Sequence, residues 1–137
     1  MARFVVQQHW REQDDWHFDL MLECGDALVT FSLPVPPSET ERLPCLARQL
    51  ANHRPAYLEH EGEISRGLGW CKIFDRGLFE WIDPPGSSCS KAQVGETACD
   101  LLDEIVVRLD GEKAKGTFRL VRETKTGADH WRLRKDK

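Results

Sequence analysis

The sequence has no apolar run long enough to cross a membrane. Its longest uncharged apolar stretch, residues 27–35, falls far short of the ~20 residues that a membrane-spanning helix needs. No basic segment followed by an apolar one opens the chain, so we expect a cytoplasmic protein that does not associate with a membrane. With 40% hydrophobic and 31% charged residues, the composition also excludes a disordered chain, a collagen-like repeat and a coiled coil.

Cysteines are few, and their spacing contains no C-x-x-C pair. The chain has five of them, an odd number, which argues against both a zinc knuckle and a disulfide framework. They are Cys24, Cys45, Cys71, Cys89 and Cys99. We expect small buried hydrophobic residues or inert thiols at these positions. The serine-hydrolase elbow, the dinucleotide fingerprint and the Lys-Ser/Thr of a phosphate-binding P-loop are also absent.

What the chain does contain is a series of short segments with the two-residue period of β-strands. Its 137 residues suffice for one domain, residues 1–137, since a chain of about this size buries roughly 68–70% of its unfolded surface. The predicted strands are residues 3–9, 16–23, 27–33, 69–74, 78–82, 105–109, 116–121 and 130–134. Turn signals separate them at residues 25–26, 75–77 and 110–112. The pattern favours a mainly β protein, a compact antiparallel barrel of about eight strands with one or two short flanking helices.

Three segments break the β pattern. Residues 38–53 begin with Ser-x-x-Glu and space their leucines as a helix does, so we predict a short helix near the start of this stretch. Residues 96–104 form a second candidate helix. Residues 84–95, rich in serine, glycine and proline, are predicted to be a surface loop.

The net charge of −4 is unevenly distributed along the chain. The segment from residue 108 to the end has a charge of +5, and the preceding 107 residues therefore carry −9. Such a chain is not a general coat for nucleic acid, but a local phosphate-binding surface and a merely solvated basic face both remain open.

The segment HFDLMLE contains the first candidate site. Alternation places His17 and Asp19 on one face of a strand, while Phe18, Leu20 and Leu22 form a core row on the other face. Together with His9 of the preceding strand, these residues offer two imidazoles and a carboxylate. Three such ligands leave coordination positions open for water or substrate, as in a catalytic metal site. A polar surface without a metal is the alternative that spacing alone leaves open.

A second candidate site is the run HRPAYLEHEG. Its side chains His53, Arg54 and Tyr57 are hydrogen-bond donors suited to phosphate oxygens. A polar loop anchored by Tyr57 is the alternative. The five tryptophans are expected to pack in the barrel or at its rim, although stacking on unpaired bases is a second possibility.

Several of these motifs together resemble one known family. FVVQQH, HFDLMLE, HRPAYLEHEG, FDRGLFEW, LDGEKAKGTFRLVR and HWRLRK follow, in order, the pattern of the 3′-phosphoesterase domain of bacterial DNA ligase D, and more closely that of its small stand-alone relatives. The resemblance implies an antiparallel β-barrel that uses a divalent metal, typically manganese, with zinc and other divalent ions also open. It implies removal of a 3′-terminal ribonucleotide and then of the remaining 3′-phosphate from DNA ends, in bacterial end joining, beside a ligase or a polymerase.

The resemblance also implies roles for individual residues. His9, His17 and Asp19 match the metal ligands of the catalytic centre, and His53 matches a catalytic histidine that contacts the scissile phosphate. Tyr57 matches a tyrosine of the same substrate-binding motif. Separately from the resemblance, we take Arg54 or Arg66 as a candidate to replace the positive charge that the family places at the position of Met21.

The chain departs from the family pattern at two positions. Met21 stands where the ligase domains carry an arginine on the phosphate, and Val35 stands near a family lysine. Methionine carries no charge and donates no hydrogen bond, so Met21 cannot make the contact with the phosphate that the family arginine makes. Activity therefore does not follow from the resemblance, and three functions remain open. They are a 3′-phosphoesterase, a nucleic-acid-end or phosphate-binding module that kept the barrel without hydrolysis, and a phosphoesterase for a smaller substrate.

Overall fold

Nine β-strands make up nearly all of the regular structure in the computed structural model, which describes residues 2–64, 67–83, 103–123 and 129–136. The strands are β1 (Ala2–Glu12), β2 (Asp15–Cys24), β3 (Ala27–Leu33), β4 (Cys45–His53), β5 (Gly62–Glu63), β6 (Trp70–Asp83), β7 (Glu104–Gly111), β8 (Lys115–Arg122) and β9 (His130–Lys135). Two short 3₁₀ segments, Pro37–Glu39 and Pro55–Leu58, are the helical elements of the described residues, and neither has the length or apolar character of a membrane-spanning helix.

Eight of these strands form a closed antiparallel barrel, as the sequence predicts. The order around the barrel is β1-β2-β3-β4-β9-β8-β7-β6, and β6 pairs back with β1. The short strand β5 pairs with the first residues of β6, beyond the end of β7. Closure satisfies the backbone groups of both edge strands, which an open sheet would expose.

The barrel interior is filled by alternate residues of every strand. The largest side chains buried in this core are Trp131, Phe4, Phe31, Phe79 and Phe118. The outer face of β1 and β2 carries a second, smaller cluster, in which Val5 and Met21 pack with Leu28 and with Leu58 from the second 3₁₀ segment. Side chains alternate along a strand. The polar residues two and four positions after Val5, and those two and four positions before Met21, therefore lie on this same outer face.

The helix predicted within residues 38–53 is wrong. A 3₁₀ segment covers Pro37–Glu39, and Cys45–His53 is strand β4, which joins β3 to β9. Its burial alternates, with Cys45 and Ala47 inside the barrel and Leu46 exposed. The helix-like spacing of the leucines therefore does not mark a buried helix face. Pairing of this segment with two neighbouring strands determines its local structure. Of the second predicted helix, residues 96–102 lie outside the described residues, as does the predicted loop at 84–95.

The turn predicted at residues 75–77 is also wrong. Here the chain continues as one long strand, β6, with an irregularity opposite the step from Val6 to Gln7 of β1. Asp75 is buried within it, and its carboxylate accepts hydrogen bonds from the backbone N–H groups of four residues at 2.7–3.2 Å. Three of these N–H groups, at residues 112–114, belong to the turn between β7 and β8. Asp75 therefore supports a distant turn instead of forming its own.

Replacing Asp75 with alanine tests this support. We expect Asp75→Ala to lower the free energy of unfolding by about 3 kcal/mol, because buried N–H groups lose a charged acceptor. The control Asp83→Ala removes an exposed carboxylate from the same strand and is expected to change stability by less than about 0.5 kcal/mol. Urea unfolding of both variants measures the difference. Equal stabilities would contradict this role of Asp75.

Candidate functional site

The β1–β2 hairpin brings the three predicted metal ligands together. His9 lies directly opposite His17 in the register of the two strands, and Asp19 follows two residues after His17 on the same face. This face is the outer one, opposite the barrel core. The pairing of the strands therefore assembles, from a local hairpin, the set that the sequence pattern predicts.

The distances within this triad are short. His9 Nδ1 lies 3.3 Å from His17 Nε2, His17 Nε2 lies 3.0 Å from Asp19 Oδ1, and His9 Nδ1 lies 3.5 Å from Asp19 Oδ2. Neighbouring ligands of a metal ion bound at about 2.0–2.2 Å are separated by roughly 3.0–3.5 Å. The measured contacts fall in this range, and one ligand atom from each residue lies within 4.8 Å of the other two, so the three side chains fit a divalent cation.

A backbone carbonyl determines which nitrogen of His9 faces the triad. His9 Nε2 lies 2.8 Å from the carbonyl oxygen of Leu68, which only accepts hydrogen bonds. Nε2 is therefore the protonated nitrogen, and Nδ1 presents its lone pair to His17 and Asp19 in the neutral ring. Such a carbonyl partner is the usual means by which proteins orient a metal-ligating imidazole.

Asp19 is the most buried member of the triad, with 4% of its surface exposed. Among the described residues, its Oδ1 atom is buried and has no assigned hydrogen-bond partner, and the nearest ring nitrogen is His17 Nε2 at 3.0 Å. Burial raises the pKa of the Asp19 carboxyl, but contacts with His17 and His9 lower it by more, so that the net shift is downward. The site thus holds a buried anionic oxygen that a bound cation would satisfy.

The imidazole of His9 responds to the same carboxylate. Its contact with Asp19 raises the pKa of His9, burial opposes this effect, and the hydrogen bond to Leu68 raises it further. The net shift is upward. The triad therefore favours positive charge, which a proton or a metal ion can supply.

The triad opens onto a cleft of about 420 Å³ on the outer face of the barrel. Residues 54–64 and 67–69, which we call the cover segment, form its opposite wall. The lining residues are Gln7, His9, Arg11, Asp19, Met21, His53, Tyr57, Ile64, Gly67 and Leu68. The cleft therefore combines His9 and Asp19 of the triad with His53 and Tyr57 of the second predicted site, whereas His17 is not among its lining residues.

Hydrogen bonds from the barrel hold the cover segment in place. The buried Gln7 side chain donates from Nε2 to the carbonyl oxygens of Tyr57 at 2.6 Å and His60 at 3.0 Å. The carboxylate of Glu61 accepts the backbone N–H of Ile73 at 2.8 Å. These contacts, together with the β5–β6 pairing, bring Tyr57 to the cleft.

His53 ends strand β4 and has one ring nitrogen free for chemistry. Its Nδ1 donates to the carbonyl oxygen of Ala51 at 2.8 Å, and its ring lies edge-on to Tyr57 with a centroid separation of 5.5 Å. The Nε2 atom is therefore the nitrogen that can donate to or accept from a molecule in the cleft.

Not every residue singled out in the sequence reaches the cleft. Arg54 is exposed and lines an adjoining depression with Tyr57 and His60. Arg66 lies outside the described residues. Val35 packs against the barrel core. Met21 forms part of the apolar wall of the cleft, with 1% of its surface exposed.

Sequence reasoning missed three residues of the site. Gln7 and Arg11 flank His9 at two-residue steps on β1, so the strand period carries a signal for both. The Leu68 carbonyl is a backbone group 59 residues from His9, and no side-chain pattern reveals it.

Comparisons with known proteins agree with this geometry. Residues 7–122 match the model of the family described as the DNA Ligase D 3′-phosphoesterase domain. The chain belongs to this family. It is 28% identical over 141 aligned residues to the multifunctional non-homologous end joining protein LigD of Pseudomonas aeruginosa, with all of the chain covered. It is 33% identical over 125 residues to the LigD of Mycolicibacterium smegmatis, with 87% covered.

The family match covers most of the chain but only a small part of each relative. A third similar protein, the multifunctional non-homologous end joining DNA repair protein LigD of Mycobacterium tuberculosis, is 27% identical over 134 residues. The chain spans about 15% of the length of each of these three proteins. Membership in the 3′-phosphoesterase domain family supports a role in processing DNA ends, and it agrees with the barrel and the His/Asp triad described above.

A glycine substitution tests how Leu68 positions His9. A Cβ at Gly69, where φ is +97°, would lie 1.9 Å from the carbonyl oxygen of Trp10, so Gly69→Ala must displace the adjoining backbone. Because the Leu68 hydrogen bond raises the pKa of His9, we expect this pKa to fall in the variant. The control Gly62→Ala has a similar φ of +110° and open space around its Cβ. Titration followed by NMR distinguishes the two variants, and an identical His9 pKa in both would contradict the account.

Proposed function

We propose that this protein is a metal-dependent 3′-phosphoesterase that trims nucleic-acid 3′ ends in DNA repair. The observation that carries the proposal is the triad of His9, His17 and Asp19, whose buried carboxylate oxygen lacks a partner among the described residues, beside a cleft that also contains His53. Family membership supports phosphoester hydrolysis, and the names of the LigD relatives support a setting in end joining.

His9, His17 and Asp19 would hold the divalent ion, through His9 Nδ1, His17 Nε2 and a carboxylate oxygen. Two nitrogens and one oxygen suit manganese, zinc and several other divalent ions, and we propose manganese on the resemblance to the family. A bound divalent ion would act as a Lewis acid that makes a phosphoryl group more electrophilic.

The remaining residues of the cleft act on the phosphate directly. In hydrolysis, a water oxygen forms a bond to phosphorus, the bond from phosphorus to the ester oxygen breaks, and the leaving oxygen takes up a proton. His53, whose Nδ1 donates to Ala51, presents Nε2 to the transferred group and donates to a phosphate oxygen when the ring carries a proton on both nitrogens; Tyr57 offers a hydroxyl in the same cleft. The Met21 wall contributes shape but no charge.

The proposed substrate is a DNA 3′ end that carries a ribonucleotide or a phosphate, with Arg54 in contact with the strand beside the cleft. The proposed partners are an end-joining ligase or polymerase, and the proposed location is the cytoplasm. These proposals rest on family membership, since the chain spans only a small part of its relatives.

A 3′-end cleavage assay tests the proposal. A labelled primer-template that ends in one ribonucleotide or in a 3′-phosphate is incubated with Mn²⁺ and the wild-type chain. We expect shortening or dephosphorylation that is lost in His17→Ala and reduced by about 10²–10³-fold in His53→Ala. His130→Ala, which removes a half-buried histidine of β9, is the matched control.

The affinity for Mn²⁺ shows whether each variant loses activity because it no longer binds the ion or for another reason. His17→Ala is expected to lose Mn²⁺, and His53→Ala is expected to retain it. A wild-type protein that binds Mn²⁺ but releases no product from either substrate would overturn the enzymatic proposal and support a binding module.

The affinity for Mn²⁺ should depend on pH in a defined direction. Because the pKa of His9 is raised, its proton persists to higher pH than in a free imidazole, and the ion must displace that proton. We expect the affinity to weaken about tenfold for each pH unit below the His9 pKa. Calorimetric titrations between about pH 5 and 8 measure the slope. An affinity independent of pH across this range would exclude His9 as a ligand.

A further inference from the structure

The geometry points to Arg11 as the side chain that binds the non-bridging oxygens of the phosphate in the cleft. This inference rests on the proposed function, and it assigns the substrate's phosphate to a residue that neither the motifs nor the family match single out. Four observations support it: the position of Arg11, the charges of the cleft, the freedom of its side chain from ion pairs, and the hydrogen-bonding geometry of the guanidinium beside a Met21 that donates none.

Arg11 occupies the same face of β1 as the metal triad. It follows His9 by two residues and lines the cleft together with His9, Asp19 and His53. The β1–β2 register shifts between Trp10 and Glu12, so Arg11 lies at an irregularity of the hairpin. Such a bulge redirects a side chain away from the regular ladder.

The cleft needs a cation that its other described lining residues do not supply. Asp19 contributes a buried negative charge, which repels a phosphate, and the ring nitrogens of His9 are committed to Leu68 and to the triad. Among the described lining residues, Arg11 is the one whose charge is permanent.

Arg11 is not held in an ion pair by the described part of the chain. Arg3 pairs with Glu23, Arg48 with Asp129, and other arginines of the barrel surface are paired in the same way. No acidic oxygen of the described residues lies within 4.0 Å of the Arg11 guanidinium. A phosphate would therefore not have to displace an existing partner.

The chemistry of the guanidinium fits this role. Its planar N–H groups bind two oxygens of one phosphate at once, which the ammonium of lysine does less well. Met21, on the cleft wall, donates no hydrogen bond. Arg11 and His53 thus provide the described cleft with donors for the phosphate oxygens, and the triad provides the ligands for the cation.

Three variants test the inference on the whole chain. Arg11→Gln removes the charge, Arg11→Lys keeps it without the planar fork, and Arg42→Gln removes an exposed arginine from the loop between β3 and β4. The probes are Mn²⁺ alone, inorganic phosphate with saturating Mn²⁺, and an oligonucleotide with a 3′-phosphate. Calorimetry measures binding of the first two, and product release gives KM and kcat for the third.

We expect Arg11→Gln to weaken inorganic phosphate and to raise KM for the oligonucleotide by about 10–100-fold, with Arg11→Lys intermediate. Mn²⁺ affinity should stay within about twofold of wild type in all three variants, and Arg42→Gln should behave as wild type. The inference is overturned if Arg11→Gln matches Arg42→Gln in phosphate affinity, or if it loses Mn²⁺ as well. Because phosphate binding is measured without turnover, failure of the proposed hydrolysis is distinguishable from failure of this inference.

Discussion

The pairing of β1 with both β2 and β6 is the constraint on which the rest of the structure depends. It closes the barrel, and its register places His9 opposite His17 on the outer face. A slip of one residue would turn the polar triad into the core and the aromatic core residues outward, which burial opposes strongly. The hydrophobic core of the barrel thus fixes the geometry of a polar site that contributes nothing to that core.

The outer face shows why the site is not simply polar surface. The cover segment, which is hydrogen-bonded to Gln7, packs on the outer face of β1 and β2. It helps to bury Val5, Met21 and Leu28 near Asp19. A carboxylate in such surroundings is costly unless positive charge approaches it. The contact with Asp19 raises the pKa of His9, so the site favours positive charge, which a divalent cation would also supply.

Much of this arrangement could be predicted from the sequence, because hairpins and two-residue alternation are local. The shared face of His17 and Asp19 could be predicted from the alternation of one strand, and the barrel from the number of segments. The predicted count of eight nevertheless equals the number of barrel strands only because two errors cancel: β4 is missing from the prediction, and β6 is divided in two. The short strand β5, outside the eight-stranded ring, is missing as well. Leu46 is exposed, and Asp75 supports a turn some 37 residues away, so both errors arise from long-range pairing that no local pattern encodes. The Leu68 carbonyl eluded prediction for the same reason.

The most direct test of the central claim is the anomalous diffraction of Mn²⁺ in crystals of the whole chain. The account predicts one ion bound by His9, His17 and Asp19, with His9 coordinating through Nδ1 while its Nε2 keeps the hydrogen bond to Leu68. Crystals saturated with Mn²⁺ that show no ion among these three side chains would contradict it. An ion coordinated through His9 Nε2 would contradict the assignment of the ring nitrogens on which the site is built.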